Sequence, residues 1–345
     1  MKAIVLREYG DADRLKWDDV APLEPSGDEV VIRNHTVGLN HCDIDLRRGL
    51  FGVASAFPHV MGVDCAGTVA KVGPGVSGFA IGDRVMPHFV LACGTCHNCQ
   101  RGHENICLRA DLLGITTWGG YAQFTKVRQN HLVRLPDALS FEDAVAGTIP
   151  FATAWEALIE VGGLRAGETV LVNAAGSGIG SAGVQIASLA GARVIATTGS
   201  DAKFAAARAL GADDVVNYVT TNVPEAVQSL TQGVGVDIAL DMVGGARLQD
   251  AIAAVALGGR IVSVGAHGGE HVDIDMIELF RKHISLHGCG RSTRAIFSDV
   301  QDRMAAGKLR PVVHARFRLA EAAAAHRLME SRAFFGRMIM DPWAK

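Results

Sequence analysis

The sequence lacks an excess of positive charge: its 33 Lys and Arg residues are outnumbered by 36 Asp and Glu residues, which gives a formal net charge of −3. The basic residues are also scattered along the chain and form no cluster. Proteins that bind nucleic acid or an anionic membrane surface concentrate positive charge. We therefore expect no nucleic acid and no membrane as a partner, and expect a small-molecule substrate instead.

The N-terminal segment lacks the uncharged hydrophobic core of a signal peptide, because MKAIVLREYG carries charge within its first seven positions. Cysteine usage agrees with this. Of seven cysteines, Cys42, Cys65 and Cys289 lie outside a tight cluster of four, and an odd remainder suits a reducing compartment better than an export pathway. We therefore expect a cytoplasmic protein.

One uncharged stretch, residues 169–192, has the length of a membrane span. Five glycines, three serines, an asparagine and a glutamine interrupt its sequence, TVLVNAAGSGIGSAGVQIASLAGA. A strand, a tight turn and a buried helix explain this composition better than a bilayer helix does. The stretch therefore predicts part of a folded domain.

The strand and helix pattern predicts two domains, as expected for 345 residues with 49% hydrophobic content. Residues 1–130 contain short strand-like runs separated by glycine and proline, which indicates a β-rich domain. From residue 167, six strand-like runs alternate with helical ones, which predicts a Rossmann-type doubly wound parallel sheet of the α/β class. A helix at 320–329 and a strand at 337–340 follow. We assign 1–150 and 291–345 to the first domain and 151–290 to the second.

Four cysteines stand at the spacing C-x2-C-x2-C-x7-C: Cys93, Cys96, Cys99 and Cys107. Four thiolates form a closed tetrahedral zinc site, which leaves no position for substrate and so organises a loop without doing chemistry. Two-residue gaps are too tight for paired half-cystines. An iron–sulfur cluster is the other alternative, and the surrounding sequence argues against it. The loop 93–107 therefore predicts one structural Zn²⁺ per chain.

A glycine-rich run, NAAGSGIGSAG, follows a predicted strand and opens a predicted helix. In that context glycines let the backbone approach a pyrophosphate, whose charge meets free N–H groups at the helix start. Aligned with the dinucleotide-binding fingerprint, Ala175, Ser177 and Gly180 stand at its three glycine positions, so two of those glycines are replaced. The alternative is a plain strand-to-helix turn that binds no ligand. The predicted dinucleotide contacts are Ser177, Gly178, Ile179 and Gly180.

The residues after the next strand bear on the choice of nicotinamide cofactor. An NAD(H) site uses an acidic side chain there to hold the adenosine ribose, but the strand RVIATT ends in Thr198, followed by Ser200 and Lys203. A hydroxyl and an ammonium suit a ribose phosphate, so we expect NADP(H) to be preferred over NAD(H). Ser200 as a helix cap and Lys203 as a surface charge are the alternatives, and nearby Asp201 keeps NAD(H) open.

The motifs GVDCAGTVAKVGPGV, GDRVM, GGYAQF, AAGSGIG and RIVSVG, together with the cysteine quartet, occur in an order that resembles the medium-chain dehydrogenase/reductase superfamily over the whole chain. The resemblance implies a GroES-like catalytic domain and a Rossmann domain. Zinc alcohol dehydrogenases of that superfamily hold a catalytic zinc on a cysteine, a histidine and a second cysteine. The corresponding positions here are Asn40, Val63 and Ile149, and Asp64 replaces the glutamate beside that histidine.

Valine and isoleucine cannot coordinate a metal, and Asn40 and Asp64 alone lack the nitrogen and sulfur donors that zinc prefers. A catalytic zinc is therefore not expected. Cys42 falls where the zinc enzymes carry a proton-relay hydroxyl, and we interpret it as a small buried residue. Alcohol oxidation depends on the metal to stabilise an alkoxide, whereas conjugated carbonyls and quinones accept hydride when hydrogen-bond donors alone stabilise the oxygen.

This pattern resembles the quinone oxidoreductase and enoyl reductase branch of the superfamily. The resemblance implies that Asn40 and Thr153 contact the nicotinamide and that Gly265 lies near its carboxamide. It also implies that Lys203 and Tyr218 lie near the ribose phosphate and that Arg337 lies near the remaining phosphates. Each residue also has a structural alternative, namely capping, packing or a surface charge. No spacing selects the proton donor, for which His41, Asp64, Tyr121 and water are candidates.

The sequence thus predicts an NADPH-dependent reductase of α,β-unsaturated carbonyls or quinones. One alternative is a zinc alcohol dehydrogenase with atypical ligands, and another is a cofactor-binding structural or RNA-binding protein. The edge strand HISLHG favours a homodimer, with a homotetramer left open. The apolar segment 46–59 is a candidate cleft loop that does not identify the substrate.

Overall fold

The computed structural model describes residues 1–50, 52 and 56–344. It divides into two compact units, of which the first comprises Met1–Ile149 and Thr293–Lys345 and the second Pro150–Ser292. In the candidate cleft loop 46–59, residues 51 and 53–55 lie outside the described part.

The first unit is rich in short strands, as its glycine and proline punctuation predicts. Its elements are β1 (Lys2–Leu6), β2 (Lys16–Asp19), β3 (Glu29–Gly38), α1 (His41–Arg47), β4 (His59–Val60), β5 (Cys65–Val72), β6 (Arg84–Pro87), β7 (Val90–Leu91), α2 (His97–Gln100), β8 (Asp111–Leu112), β9 (Phe124–Arg128), β10 (Leu132–Arg134) and α3 (Phe141–Trp155), which runs past the unit boundary. The second unit follows with a π-helix (Glu156–Val161), β11 (Thr169–Val172), α4 (Gly178–Leu189), β12 (Arg193–Thr198), α5 (Phe204–Ala209), β13 (Asp214–Asn217), α6 (Val223–Leu230), β14 (Val236–Asp241), α7 (Gly245–Ala254), β15 (Val255–Ser263), α8 (Met276–Arg281) and β16 (Ser285–Gly288). The chain then completes the first unit with α9 (Arg294–Ala305), β17 (Val313–Arg318), α10 (Ala322–Glu330) and β18 (Arg337–Asp341).

The main sheet of the first unit is organised around the long strand β3. Its strand order is β10-β6-β5-β3-β18-β17, and β9 also pairs with β3. The predicted C-terminal strand is β18, which runs antiparallel to β3 with Ile339 opposite Gly38. This pairing carries Arg337, the first residue of β18, to the end of β3, directly before α1.

The second unit contains six parallel strands in the order β13-β12-β11-β14-β15-β16. The chain order 3-2-1-4-5-6 is that of a Rossmann sheet, and it confirms the predicted doubly wound fold. The strands β11, β12 and β14 are almost wholly buried, as continuous apolar runs in a covered parallel sheet require. Residues 169–192 form β11, a turn, α4 and the start of the next connection, as predicted.

Several elements were not predicted from the sequence, among them α1, α3, α9 and β17. Helix α9 carries the apolar spacing Phe297, Val300, Met304, and β17 alternates half-buried and exposed residues, so both had readable patterns. Helix α3 contains Pro150, which argues locally against a helix. The helical segment Phe141–Val161 is long and apolar enough to cross a membrane, but 67% of its most apolar window is buried inside the protein, as in an ordinary core helix.

Candidate active site and metal centre

The four predicted cysteine ligands converge, with all four Sγ atoms within 4.8 Å of one another. The Sγ–Sγ distances are 3.5 Å for Cys96–Cys99 and Cys93–Cys107, 3.8 Å for Cys96–Cys107 and 4.0 Å for Cys93–Cys99. Zinc–sulfur bonds of about 2.3 Å in a tetrahedron place sulfurs about 3.8 Å apart. The quartet therefore fits a structural zinc ion, and within the described residues it is the one such group of His, Cys, Asp or Glu ligands.

Hydrogen-bond donors surround Cys93 and Cys107. The backbone N–H groups of Cys93 and Arg109 donate to Cys107 Sγ at 3.3 and 3.4 Å, and the Arg109 guanidinium donates to Cys93 Sγ at 3.6 Å. Backbone N–H donation at Thr95, with help from its hydroxyl and from Arg109, lowers the pKa of Cys93 to about 5. Arg109 was not predicted from the sequence, although it lies only two residues after the last cysteine of the quartet.

The glycine-rich loop lies between β11 and α4, as predicted. Ser177 is the N-cap of α4, and its hydroxyl accepts a hydrogen bond from the Gly180 N–H at 2.9 Å. The first N–H groups of a helix have no acceptor within it, so those of Gly178 and Ile179 remain the predicted pyrophosphate contacts. A Cβ atom at Gly180 would lie 2.2 Å from the Ala174 carbonyl oxygen. This close approach explains why the third fingerprint position is glycine, and it fits the cradle of a dinucleotide.

The predicted ribose site begins where β12 ends. Thr198 is buried, Ser200 caps the 3-10 turn Asp201–Lys203, and burial lowers the pKa of Lys203. The Asp201 carboxylate accepts a hydrogen bond from Asn217 Nδ2 at 2.7 Å, so Asn217 holds one of its oxygens. Ser200 thus fulfils its capping alternative, which leaves Lys203 as the polar group most suited to a phosphate.

Tyr218 follows β13 and packs against this turn, since a Cβ atom at Gly199 would lie 2.5 Å from the Tyr218 hydroxyl. Arg247 was not predicted here. Its guanidinium carbon lies 5.3 Å from the Tyr218 ring centre, and Nη1 donates to the Tyr218 carbonyl oxygen at 3.3 Å. It also forms an ion pair with Asp250 at 2.9 Å. Arg247 lies in helix α7, 29 positions after Tyr218, so no local sequence motif could have predicted this second cation.

The remaining predicted cofactor contacts of this unit are Thr153 and Gly265. Thr153 is buried in α3, and Gly265 follows β15, where a Cβ atom would lie 3.0 Å from the Met242 carbonyl oxygen. Asp241 at the end of β14, which was not predicted, is fully buried and accepts hydrogen bonds from Asn173 at 3.0 Å and from the Gly244 N–H at 2.9 Å. These bonds organise the loops that follow β11 and β14.

In the first unit, Arg337 joins Asn40, at the position of the first zinc ligand, to Asp64, which follows the position of the second. Its Nη1 donates to Asn40 Oδ1 at 2.7 Å, and its Nη2 donates to Asp64 Oδ2 at 2.8 Å. All three side chains are buried, and burial raises the pKa of Asp64 to about 7 against the lowering effects of Arg337 and Asn40. Val63 lies in the apolar core. The implied phosphate role of Arg337 remains a prediction beside this observed ion pair.

Asn40 is also the N-cap of α1, the capping alternative considered from the sequence. Its backbone N–H donates to Asp43 Oδ2 at 2.8 Å, and His41 is the first residue of the helix. Tyr121, a candidate proton donor, is fully buried with its hydroxyl 3.3 Å from Asp43 Oδ2 and 3.2 Å from His326 Nε2. Desolvation raises the pKa of Tyr121 well above its usual value, which favours a structural role. The proton-donor role stays an untested prediction for all three candidates.

A buried chain of hydrogen bonds continues from Tyr121 to the surface. His326 Nδ1 lies 3.3 Å from Arg47 Nη1, and Arg47, which is fully buried, forms an ion pair with Glu330 at 2.5 Å. Arginine can only donate, so His326 accepts at Nδ1 and carries its proton on Nε2. This arrangement fixes a neutral imidazole and anchors α1 to α10.

The neutral state of His326 predicts a pH dependence. Burial and the nearby Arg47 charge lower its pKa from 6.5 to about 3. Because the folded-state pKa is depressed, its contribution to stability is complete above about pH 6.5 and is lost as the pH falls toward 3, at up to about 1.4 kcal/mol per pH unit. We expect the His326 ring resonances, identified in NMR spectra with the variant His326→Gln, not to titrate between pH 8 and 5. A ring that titrates near pH 6.5 would contradict the proposed arrangement.

Fold, glycine-rich loop and cysteine quartet together define a two-unit, nucleotide-dependent dehydrogenase or reductase. Two family models match the chain: the alcohol dehydrogenase GroES-like domain over residues 26–137 and the zinc-binding dehydrogenase over residues 178–306. The quinone oxidoreductase of Rattus norvegicus is 31% identical over 99% of this chain and 97% of its own. The chain therefore belongs to the medium-chain dehydrogenase/reductase superfamily, and it is an NAD(P)-dependent oxidoreductase.

Similar proteins also include alcohol dehydrogenases. The alcohol dehydrogenase of Geobacillus stearothermophilus is 31% identical over 91% of both chains. A solved structure described as an NAD-dependent alcohol dehydrogenase is 40% identical, with a TM-score of 0.95 over 99% of both chains. The similar proteins thus share the superfamily but differ in the substrate class that their names state.

Proposed function

We propose that this protein is a cytoplasmic NADPH-dependent reductase of α,β-unsaturated carbonyls or quinones that works without a catalytic zinc. The observation that carries the proposal is the composition of the three zinc-ligand positions, Asn40, Val63 and Ile149. At or beside these positions, Asn40 Oδ1 and Asp64 Oδ2 are oxygen atoms of a kind that can bind a metal. Both already accept hydrogen bonds from Arg337. A cation would have to displace that guanidinium, so the residues present do not fit a second zinc.

The chemistry follows from what these residues can and cannot supply. A nicotinamide held by the loop at Ser177–Gly180 would supply hydride to an electron-poor carbon. The chain then has only hydrogen-bond donors with which to stabilise the charge on the substrate oxygen. Enones and quinones accept hydride under those conditions because conjugation spreads the charge, whereas an unactivated alcohol requires a Lewis acid to become an alkoxide.

The preference for NADPH is supported by the residues after β12. Thr198 stands where an NAD(H) site would carry a carboxylate, and Asn217 donates a hydrogen bond to the nearby acid Asp201. Lys203 ends the 3-10 turn after β12, and the Arg247 guanidinium lies 5.3 Å from the Tyr218 ring centre, so each supplies a cation near the predicted ribose site. The NAD-dependent alcohol dehydrogenase structure is the reason to test both nucleotides.

Replacing Lys203 with alanine tests this preference. We expect kcat/KM with NADPH to fall about 10- to 100-fold, the range for losing a charge-assisted bond to phosphate, and kcat/KM with NADH to change less than about threefold. Steady-state kinetics with both nucleotides provide the measurement. The variant Arg208→Ala removes an exposed cation from the neighbouring helix α5 and should leave both values unchanged. Equal losses with both nucleotides would count against a phosphate contact.

The function itself is tested by a screen of NADPH and NADH oxidation over enones, acyl-CoA thioesters and quinones, run beside NAD(P)⁺ reduction by alcohols. Metal content is measured on the same preparation. We expect turnover with conjugated acceptors and one zinc per chain. Two zincs with alcohol oxidation would support the alcohol dehydrogenase alternative. NADPH binding without turnover of any acceptor would support a structural or RNA-binding role.

We also propose a homodimer formed through the edge strand β16. An unpaired edge can add the same strand of a second copy. The Gly258 N–H donates to the Lys282 carbonyl oxygen at 2.7 Å, and this bond joins the turn in β15 to the end of α8. Large apolar side chains are exposed around this edge. The exposed side chains are Leu257, Met276, Ile277, Phe280 and Leu286.

The variant Phe280→Glu is therefore expected to dissociate the dimer, because it places a charge in an apolar interface. Light scattering after size-exclusion chromatography should change from twice the chain mass to the chain mass. Val234 is equally exposed but lies in the turn between α6 and β14, so Val234→Glu should remain dimeric. A wild-type protein that is already monomeric would refute the proposal.

A further inference from the structure

The buried cluster around Arg337 contains polar atoms that no hydrogen bond satisfies. Within the described residues, Asn40 Nδ2, Asp64 Oδ1 and Arg337 Nε are buried and have no partner, although each side chain is at least nine-tenths buried. Buried polar atoms are nearly always paired in native proteins, and an orphan costs roughly 1–3 kcal/mol. Unpaired atoms gathered in one cluster therefore indicate that something else binds there.

The orientation of the Asn40 amide is fixed by chemistry. Arginine has donors and no acceptor, so the Asn40 atom 2.7 Å from Arg337 Nη1 must be the carbonyl oxygen. The amide nitrogen then occupies the opposite position. The Asn40 backbone is held as well, because its N–H donates to Asp43 Oδ2 at 2.8 Å. Hydrogen bonds thus hold both the backbone and the side-chain carbonyl of Asn40. Its amide nitrogen Nδ2 is the side-chain polar atom without a hydrogen-bond partner in the described part of the chain.

We propose that Asn40 Nδ2 donates a hydrogen bond to the substrate oxygen that becomes negatively charged, and that Arg337 is the residue that positions this donor. The inference rests on the proposed function. It gives the asparagine at the first zinc-ligand position the task of the missing metal, namely stabilising an oxygen.

The electron flow shows why a donor is needed there. When hydride adds to the β-carbon of an enone, the π electrons of the carbon–carbon double bond move toward the carbonyl, and its oxygen becomes an enolate. A proton from water then adds to the α-carbon and completes the reduction; a bound NADPH would supply the hydride and become NADP⁺. A donor fixed in advance stabilises the enolate without reorganisation. Polarisation of the amide by the Arg337 guanidinium strengthens that hydrogen bond.

Asp64 is the competing acceptor for the same donor. The Asn40 side chain lowers the pKa of Asp64 as a hydrogen-bonding neighbour, but neither Nδ2 nor Asp64 Oδ1 has a partner in hydrogen-bond geometry among the described residues. Arg337 already binds Oδ2 and neutralises the charge. A purely structural Asn40 that supports Asp64 would therefore alter stability and leave the affinity for an oxyanion unchanged.

The test uses two variants that keep the helix cap. Asn40→Asp places an oxygen at the Nδ2 position, and Asn40→Ser removes the donor without adding charge, while both residue types still cap a helix. The control Asn130→Asp makes the same chemical change on the exposed surface of the same unit. Binding of 4-nitrophenolate, an oxyanion that no hydride transfer consumes, is measured from its absorption shift with the NADP⁺-loaded protein, and the NADPH Kd is measured by fluorescence.

We expect both Asn40 variants to lose at least about tenfold in phenolate affinity and about 100-fold in kcat, with a smaller loss in NADPH affinity, whereas Asn130→Asp should leave all three quantities unchanged. Arg337→Lys should lower kcat with little change in KM. Variants that keep phenolate affinity and kcat, or that lose only thermal stability, would overturn the inference. A wild-type protein that binds phenolate through Asn40 but reduces no acceptor would instead refute the proposed function.

Discussion

Replacing Cys96 with serine is expected to lower the zinc content from one to less than about 0.1 per chain and to unfold the loop 93–107. Four thiolates at 3.5–4.0 Å form a closed cage, and serine offers no soft anionic ligand in its place. Structural zinc contributes about 10–16 kcal/mol of apparent binding free energy to small zinc domains, and that energy is folding energy. Loss of one ligand should therefore melt the loop.

Metal analysis and hydrogen exchange check this expectation. Amides of residues 93–108 should lose protection, whereas the Rossmann sheet of the second unit should keep it. The control Cys289→Ser changes a buried cysteine outside the quartet and should retain zinc. An iron–sulfur cluster would give visible absorption and iron in place of zinc. Full protection of residues 93–108 in a metal-free Cys96→Ser protein would refute the structural role.

The zinc site could be predicted because all of its ligands lie within fifteen residues, so spacing alone determines the geometry. The same is true of the loop before α4, which lies between a strand and a helix as the glycine-rich run predicts. Local sequence also gave the six parallel strands, since a buried strand needs a continuous apolar run. These features share one property: the residues that define them are neighbours in the chain.

The polar cluster of the first unit could not be predicted, because its members come from distant parts of the sequence. Arg337 meets Asn40 across 297 positions, and His326 meets Arg47 across 279. Only the pairing of β18 with β3 and the packing of α10 bring them together. Sequence reasoning could name Asn40, Asp64 and Arg337 from a resemblance, but it could not tell that one guanidinium binds the other two.

Replacing Gly180 with alanine is expected to lower nucleotide affinity at least about 100-fold and to destabilise the second unit by roughly 2–4 kcal/mol. The added Cβ would lie 2.2 Å from the Ala174 carbonyl oxygen and 2.8 Å from Ala175 Cα. Both are backbone neighbours that no side-chain rotation can move. The loop must shift instead. This shift would disturb the hydrogen bond that the Gly180 N–H donates to the Ser177 hydroxyl at 2.9 Å.

Fluorescence titration with NADPH and thermal unfolding measure the two effects. The matched control is Gly290→Ala, since Gly290 has no heavy atom within 4 Å of an added Cβ and no left-handed backbone conformation. It should bind nucleotide and unfold like the wild type. Unchanged nucleotide affinity in Gly180→Ala would mean that the start of α4 does not bind the pyrophosphate. Lost affinity with full stability would mean that the alanine blocks the ligand directly and leaves the loop in place.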